Sequence, residues 1–211
     1  MKKYNIPALL VMLLAPLFFV ACSENDDTVE EFPDWKNRNE AYFDNIYEKA
    51  MGINDGSWKI IRNYTLEDTI PAAYTDHIVV EVLEEGTGSG CPMFTDSVMV
   101  SYRRRLLPST SYPEGYVFDQ SYEGEYNPQT AKPQQMRVGD LIDGFATALQ
   151  YMHIGDRWRV YVPYQLGYGT SASTTIPAYS TLIFDIALVA YYRPGVTPDP
   201  WYVKKGEWVT E

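Results

Sequence analysis

Three stretches of this sequence alternate between two faces with a period of two residues: "SVMVSYRRRLL", "RWRVYVP" and "TLIFDIALVAY". In the first, Val98, Val100 and Tyr102 share one face while Met99, Ser101 and Arg103 share the other. The second turns Trp158, Val160 and Val162 inward, and the third sets Leu182, Phe184, Ile186 and Leu188 on one side. Such a period belongs to half-buried antiparallel strands. "HIVVEVLE" adds another strand and runs into "EGTGSG", which reads as a flexible glycine turn. Among the strands lies one helical block, "DLIDGFATALQYMHIG", with Leu141, Phe145, Leu149 and Met152 as its apolar stripe and Gly155 closing it. Strands surrounding a single short helix imply an α+β domain rather than an alternating βαβ fold.

The flanks carry different signals. Residues 1–21 hold Lys2 and Lys3, then an apolar run broken by Pro7 and Pro16, the pattern of a signal peptide rather than a membrane span. The run ends "FVAC", which resembles a bacterial lipoprotein cleavage site, so Cys22 is expected to become the lipidated first residue. Residues 22–34 are an acidic tether, and "SENDD" resembles the export signal of surface lipoproteins. The expected location is therefore the outer membrane, with the leaflet open. Residues 35–71 form an extension whose "WKNRNEAYFDNIYEKAM" sets Tyr42, Phe43, Ile46, Tyr47 and Ala50 at helical spacing before Gly52. That stripe is expected to pack on the main domain. One strand is placed around Trp58 to Ile61, and residues 193–211 are a proline-punctuated surface tail.

Charge and cysteine usage exclude several functions. The formal net charge is −11, which repels nucleic acid phosphates. With Cys22 lipidated, Cys91 stands alone and forms no intrachain disulfide. His77 and His153 are the only histidines and neither has a cysteine nearby, so no metal and no cofactor are expected. Neither histidine sits in a nucleophile motif, and no basic residue beside Cys91 lowers its pKa, which argues against hydrolase chemistry. The 18 tyrosines would suit a glycan surface, yet they are scattered along strands rather than gathered in one loop.

One short stretch poses a chemical question. In "YVFDQS", Asp119 follows Tyr116, Val117 and Phe118 directly, and a carboxylate there costs desolvation energy unless something satisfies it. Taken alone it fits an Asx-type turn better than a pocket.

The fragments "VEVLEEGTGSG", "VMVSYRR", "VFDQS", "VGDLIDGFATALQYMHIGDRWRVYVP", "LGYG" and "IPAYSTLIFDIALVAY" occur in an order that resembles FKBP-type peptidyl-prolyl cis-trans isomerases, over residues 72–192. The resemblance implies an antiparallel sheet of about five strands curled around the helix, with an apolar pocket that receives a proline ring. It implies pocket roles for Tyr102, Phe118, Asp119, Leu141, Ile142, Tyr168, Ile176 and Phe184, with Phe145 where many members have a tryptophan. Tyr102, Phe118, Phe145 and Phe184 would make the slot. The Ile142 N–H and the Tyr168 hydroxyl would hold substrate carbonyls, and Asp119 would accept a hydrogen bond from Tyr102. The implied partners are proline-containing polypeptide segments and, at the same pocket, macrolides.

The sequence also departs from that pattern. "RRRLLPSTSYPEGYV" and "YEGEYNPQTAKPQQM" are long, and Gln134 stands where a pocket aromatic is usual. The arginine that commonly pairs with the aspartate has no evident counterpart, with Tyr122 and Tyr126 as candidates to fill the gap. The loop "TSASTT" before Ile176 is short and polar. These departures motivate an alternative: a non-catalytic peptide- or protein-binding module of the cell envelope.

Overall fold

A computed structural model of the protein describes residues 30–196. The leader, Cys22, most of the acidic tether and nearly all of the tail lie outside them. Within them, α1 (Trp35–Met51) precedes β1 (Trp58–Arg62), β2 (His77–Glu84), β3 (Ser97–Arg105), β4 (Val117–Gln120) and β5 (Gln134–Arg137). Then come α2 (Asp143–Leu149), β6 (Arg157–Val162) and β7 (Leu182–Tyr192).

All seven strands join one antiparallel sheet in the order β1-β2-β6-β7-β3-β4, and β5 takes a second stretch of the β3 edge. The α+β class is as expected, but the sheet is larger than the five strands inferred. β1 extends it beyond β2. β5, "QQMR", is mostly exposed and carries no alternation that would mark it as a strand. The helical block is also shorter than its sequence pattern. Ile142 is extended at φ −60°, ψ 150°, and its carbonyl accepts the Phe145 and Ala146 N–H groups, so the helix starts after it. Leu141 and Met152 therefore flank α2 rather than belong to it.

The alternation read from the sequence does sort the sheet's faces. Val98, Val100, Tyr102, Trp158, Val160, Val162, Leu182, Phe184, Ile186 and Leu188 are all buried in one core with Phe145 and Leu149 of α2. The strands are nonetheless more than half-buried, because the opposite face is covered too. α1 lies there through Trp35, Phe43 and Ala50, which are buried, with Tyr42 of α1 6.3 Å from the Tyr161 ring. Trp58 stacks on Tyr161 at 5.9 Å and 11°. α1 is thus built into the domain. No helix among the described residues is long and apolar enough to cross a membrane.

Two glycines set close approaches. A Cβ at Gly144 would stand 2.3 Å from Val162 Cγ1, so only glycine lets α2 sit this tightly on β6. A Cβ at Gly86 would stand 2.3 Å from the Ile154 carbonyl oxygen. The glycine segment after β2, expected to be flexible, is tied down there: Gly86 N–H donates to Asp156 Oδ1 at 2.7 Å and Gly88 N–H to Ile154 O at 3.1 Å.

Candidate active site

Between α2 and the inner face of the sheet is a cavity of about 150 Å³, lined by Arg104, Asp140, Leu141, Ile142, Phe145, Tyr168 and Phe184. Five of these were expected from the sequence: Leu141, Ile142, Phe145, Tyr168 and Phe184. Pairing places them. β3 and β7 align Arg104 with Phe184 and Tyr102 with Ile186, so alternate residues of both strands face α2. The seven-residue α2 then brings Phe145 to 5.3 Å from Phe184 and 6.5 Å from Tyr102, edge to face in both cases. Among the described residues, the Ile142 N–H has no protein acceptor, which leaves it free at the cavity wall.

The other four expected residues surround this cavity without lining it. Tyr102 is buried behind Phe145, Phe118 is partly buried against the core, and Ile176 is buried in it. Asp119 is at the mouth of the site. Its carboxylate Oδ2 lies 3.3 Å from Arg104 Nη1.

That contact overturns the expectation that the aspartate lacks an arginine. Its partner comes from β3, one strand over, where Arg104 pairs with Asp119 in register. The guanidinium then lies 4.4 Å from the Tyr102 ring centroid, 4.9 Å from Phe145 and 5.8 Å from Phe184. Three ring faces hold the cation, an attraction that strengthens where water is excluded. Its Nη2 approaches Met136 Sδ at 3.5 Å, while Nε is buried without a hydrogen-bond partner. Arg104 and Asp140 were the two lining residues missed. The signal for Arg104 was available, because it stands two residues after Tyr102 on an alternating strand and must share that face.

Two further expectations are corrected. Tyr122 and Tyr126 do not fill a gap in the pocket: they pack on each other at 5.3 Å, under Arg103 and Arg157. The Tyr102 hydroxyl, expected on Asp119 alone, also has Gln134 Oε1 as an acceptor at 3.3 Å, so the glutamine in the usual aromatic position shares that role with the carboxylate. Burial raises the Tyr102 pKa above the ordinary phenol value. The Arg104 charge opposes that rise, and the nearby Asp119 carboxylate adds to it through its charge and hydrogen bonding. The phenol therefore stays neutral at physiological pH.

Chemically the site offers an apolar slot, a free backbone N–H, one tyrosine hydroxyl and an ion pair at its edge. It has no nucleophile beside a base, so the arrangement suits shape-selective binding and desolvation rather than covalent chemistry.

Comparison with known proteins places the same region. Residues 90–189 match the family model described as FKBP-type peptidyl-prolyl cis-trans isomerase. The chain is 38% identical over 114 residues to the Macrophage infectivity potentiator of Trypanosoma cruzi, covering 54% of this chain and 52% of that protein. It is 33% identical over 109 residues to the FKBP-type 22 kDa peptidyl-prolyl cis-trans isomerase of Escherichia coli, covering 51% of this chain and 47% of that one. The chain thus spans about half the length of these curated relatives. A crystal structure of a peptidyl-prolyl cis-trans isomerase from Pseudomonas syringae superposes with a TM-score of 0.53 at 26% identity, covering 75% of this chain and 96% of that one.

Proposed function

Because residues 90–189 belong to the FKBP-type peptidyl-prolyl cis-trans isomerase family, we propose that this protein catalyses rotation about X–Pro peptide bonds of exported polypeptides. The observation that carries the proposal is the cavity walled by Leu141, Ile142, Phe145 and Phe184 and edged by Tyr168. Its volume of about 150 Å³ is that of a cavity that accepts a guest the size of benzene, and a pyrrolidine ring is smaller.

The barrier to be lowered is amide resonance, about 18–20 kcal/mol, which makes the uncatalysed step take roughly tens to hundreds of seconds. Resonance puts negative charge on the carbonyl oxygen, and water stabilises that planar form. A slot of aromatic and aliphatic walls removes this solvation and favours the twisted, less polar amide. Only such differential stabilisation raises kcat, at about 1.4 kcal/mol per tenfold. In this mechanism Phe145 and Phe184 seat the ring, with Tyr102 and Phe118 supporting them from behind. The Ile142 N–H and the Tyr168 hydroxyl hold flanking carbonyls. Asp119 fixes the Arg104 guanidinium over the rings. Leu141 and Ile176 shape the two sides, and a macrolide would compete for the same cavity.

The leader supports export, with the chain held at the outer membrane by lipid on Cys22. The second reading, a binding module without catalysis, is favoured by the Arg104 cation lying across the Phe145 and Phe184 rings that a proline would touch. An isomerisation assay on the purified mature protein with short prolyl peptides separates the two. The proposal expects acceleration that a saturating macrolide abolishes. Peptide binding with no acceleration would support the module instead.

A further inference from the structure

Two residues of the site, Tyr168 and Ile176, belong to the long segment 163–181 between β6 and β7, and α1 is hydrogen-bonded to that segment at buried positions. Asn39 is fully buried, an unusual place for an amide unless every polar group has a partner. Its Oδ1 accepts the Thr181 N–H at 2.7 Å, its backbone carbonyl accepts the Thr181 hydroxyl at 3.2 Å, and its Nδ2 donates to Trp35 O at 2.6 Å. From α1 two chains run toward Ile176 and Tyr168. In the first, the buried Trp35 Nε1–H donates to Ser180 Oγ at 2.9 Å, and the Ser180 hydroxyl donates to Pro177 O at 2.7 Å, one residue from Ile176. In the second, the Tyr164 hydroxyl donates to Glu40 Oε1 at 3.3 Å. The Tyr164 carbonyl then accepts the Gly169 N–H at 2.8 Å, one residue from Tyr168.

The chains meet at Tyr179, which has φ 62°, a left-handed conformation that costs a non-glycine residue energy and persists only where its surroundings hold it. Here the Tyr179 N–H donates to Gly169 O at 3.0 Å, its ring packs on Tyr164 at 5.2 Å, and Lys36 of α1 lies over it at 5.0 Å.

We propose that α1 is a working part of the active site: Asn39 and Trp35 are positioning residues that hold the 163–181 segment so that Tyr168 and Ile176 meet the substrate. This rests on the isomerase reading for its chemical consequence, but the clamp itself is a statement about the segment's order. Misplacing a catalytic contact by about 1 Å can cost up to roughly a hundredfold in rate, so partial release of this segment would be visible in kinetics.

The test uses Asn39→Leu, which removes the amide while keeping the branch at Cγ, and Trp35→Phe, which removes the indole donor together with part of the ring. Hydrogen exchange of the Gly169 and Tyr179 amides is followed beside that of β3 and α2, with prolyl isomerisation measured on the same samples. The clamp predicts faster exchange confined to residues 164–180 in both variants and a fall in kcat/KM of roughly tenfold. Unchanged exchange in folded Trp35→Phe protein would overturn it, as would exchange that rises equally across the whole sheet. If Asn39→Leu fails to fold, Trp35→Phe alone decides. If the wild-type protein shows no catalysis, the isomerase reading fails while the exchange pattern still decides the clamp.

Discussion

Arg104 and Asp119 form an unequal ion pair, 3.3 Å apart, with the arginine side chain 14% exposed and the aspartate 42%. The consequences of breaking it differ by side. Asp119→Ala leaves the better buried charge without its partner and is expected to cost about 1–3 kcal/mol. Arg104→Met keeps an apolar stem over the rings and returns Asp119 to solvent, so its cost is expected to be smaller. A double-mutant cycle by urea unfolding measures the pair, with an expected coupling of about 0.5–3 kcal/mol.

Phe145 and Phe184 meet edge to face at 5.3 Å and wall the cavity from opposite elements. Phe145→Leu conserves most of the core volume, so its stability cost is expected to stay near about 1.5 kcal/mol. The loss of the aromatic wall is expected to lower kcat/KM roughly tenfold, about 1.4 kcal/mol of transition-state stabilisation. Steady-state kinetics beside thermal unfolding of the same variant separate the two effects.

Gly144 lets α2 approach β6, and Val162 is the residue a new side chain would strike. Gly144→Ala is expected to destabilise by about 1–3 kcal/mol through overpacking, despite the better helix propensity of alanine. Adding Val162→Ala should recover part of that loss. Denaturant midpoints of the single and double variants check the sign.

Alkaline pH should weaken the fold. Burial raises the pKa of Tyr42, Tyr102, Tyr122, Tyr126 and Tyr161 above the ordinary phenol value. The unfolded chain then loses its phenolic protons first, near pH about 10. Stability from these groups is complete below that pH and declines as pH rises toward the folded-state values. Tyr161→Phe should reduce the steepness of the decline, because Glu81 adds to burial in raising that phenol. Unfolding followed from pH 8 to 11 reads the slope.

The sheet and its inward faces could be read in the sequence because an alternating strand declares which residues point together. Val98, Val100 and Tyr102 did so, and the same two-residue step would have placed Arg104 beside them. Three consecutive arginines on an alternating strand divide between its two faces, and nothing in that pattern says that the middle one lies over aromatic rings. β5 was hidden for another reason: Gln134 and Gln135 are exposed and give no apolar signal. The attachment of α1 to the pocket loop was beyond pattern reading. Asn39 and Thr181 are separated by 142 positions, and a buried asparagine looks like any surface one until its partner is known.

The proposed mechanism requires the slot walled by Phe145 and Phe184 to lower the barrier to prolyl rotation. The most direct measurement is exchange NMR of a short X–Pro peptide, with the cis-to-trans rate followed against added protein. The expected rate rises linearly with catalytic amounts of wild-type protein and falls by roughly tenfold with Phe145→Leu. A peptide whose resonances shift on binding while its exchange rate stays at the uncatalysed value would contradict it.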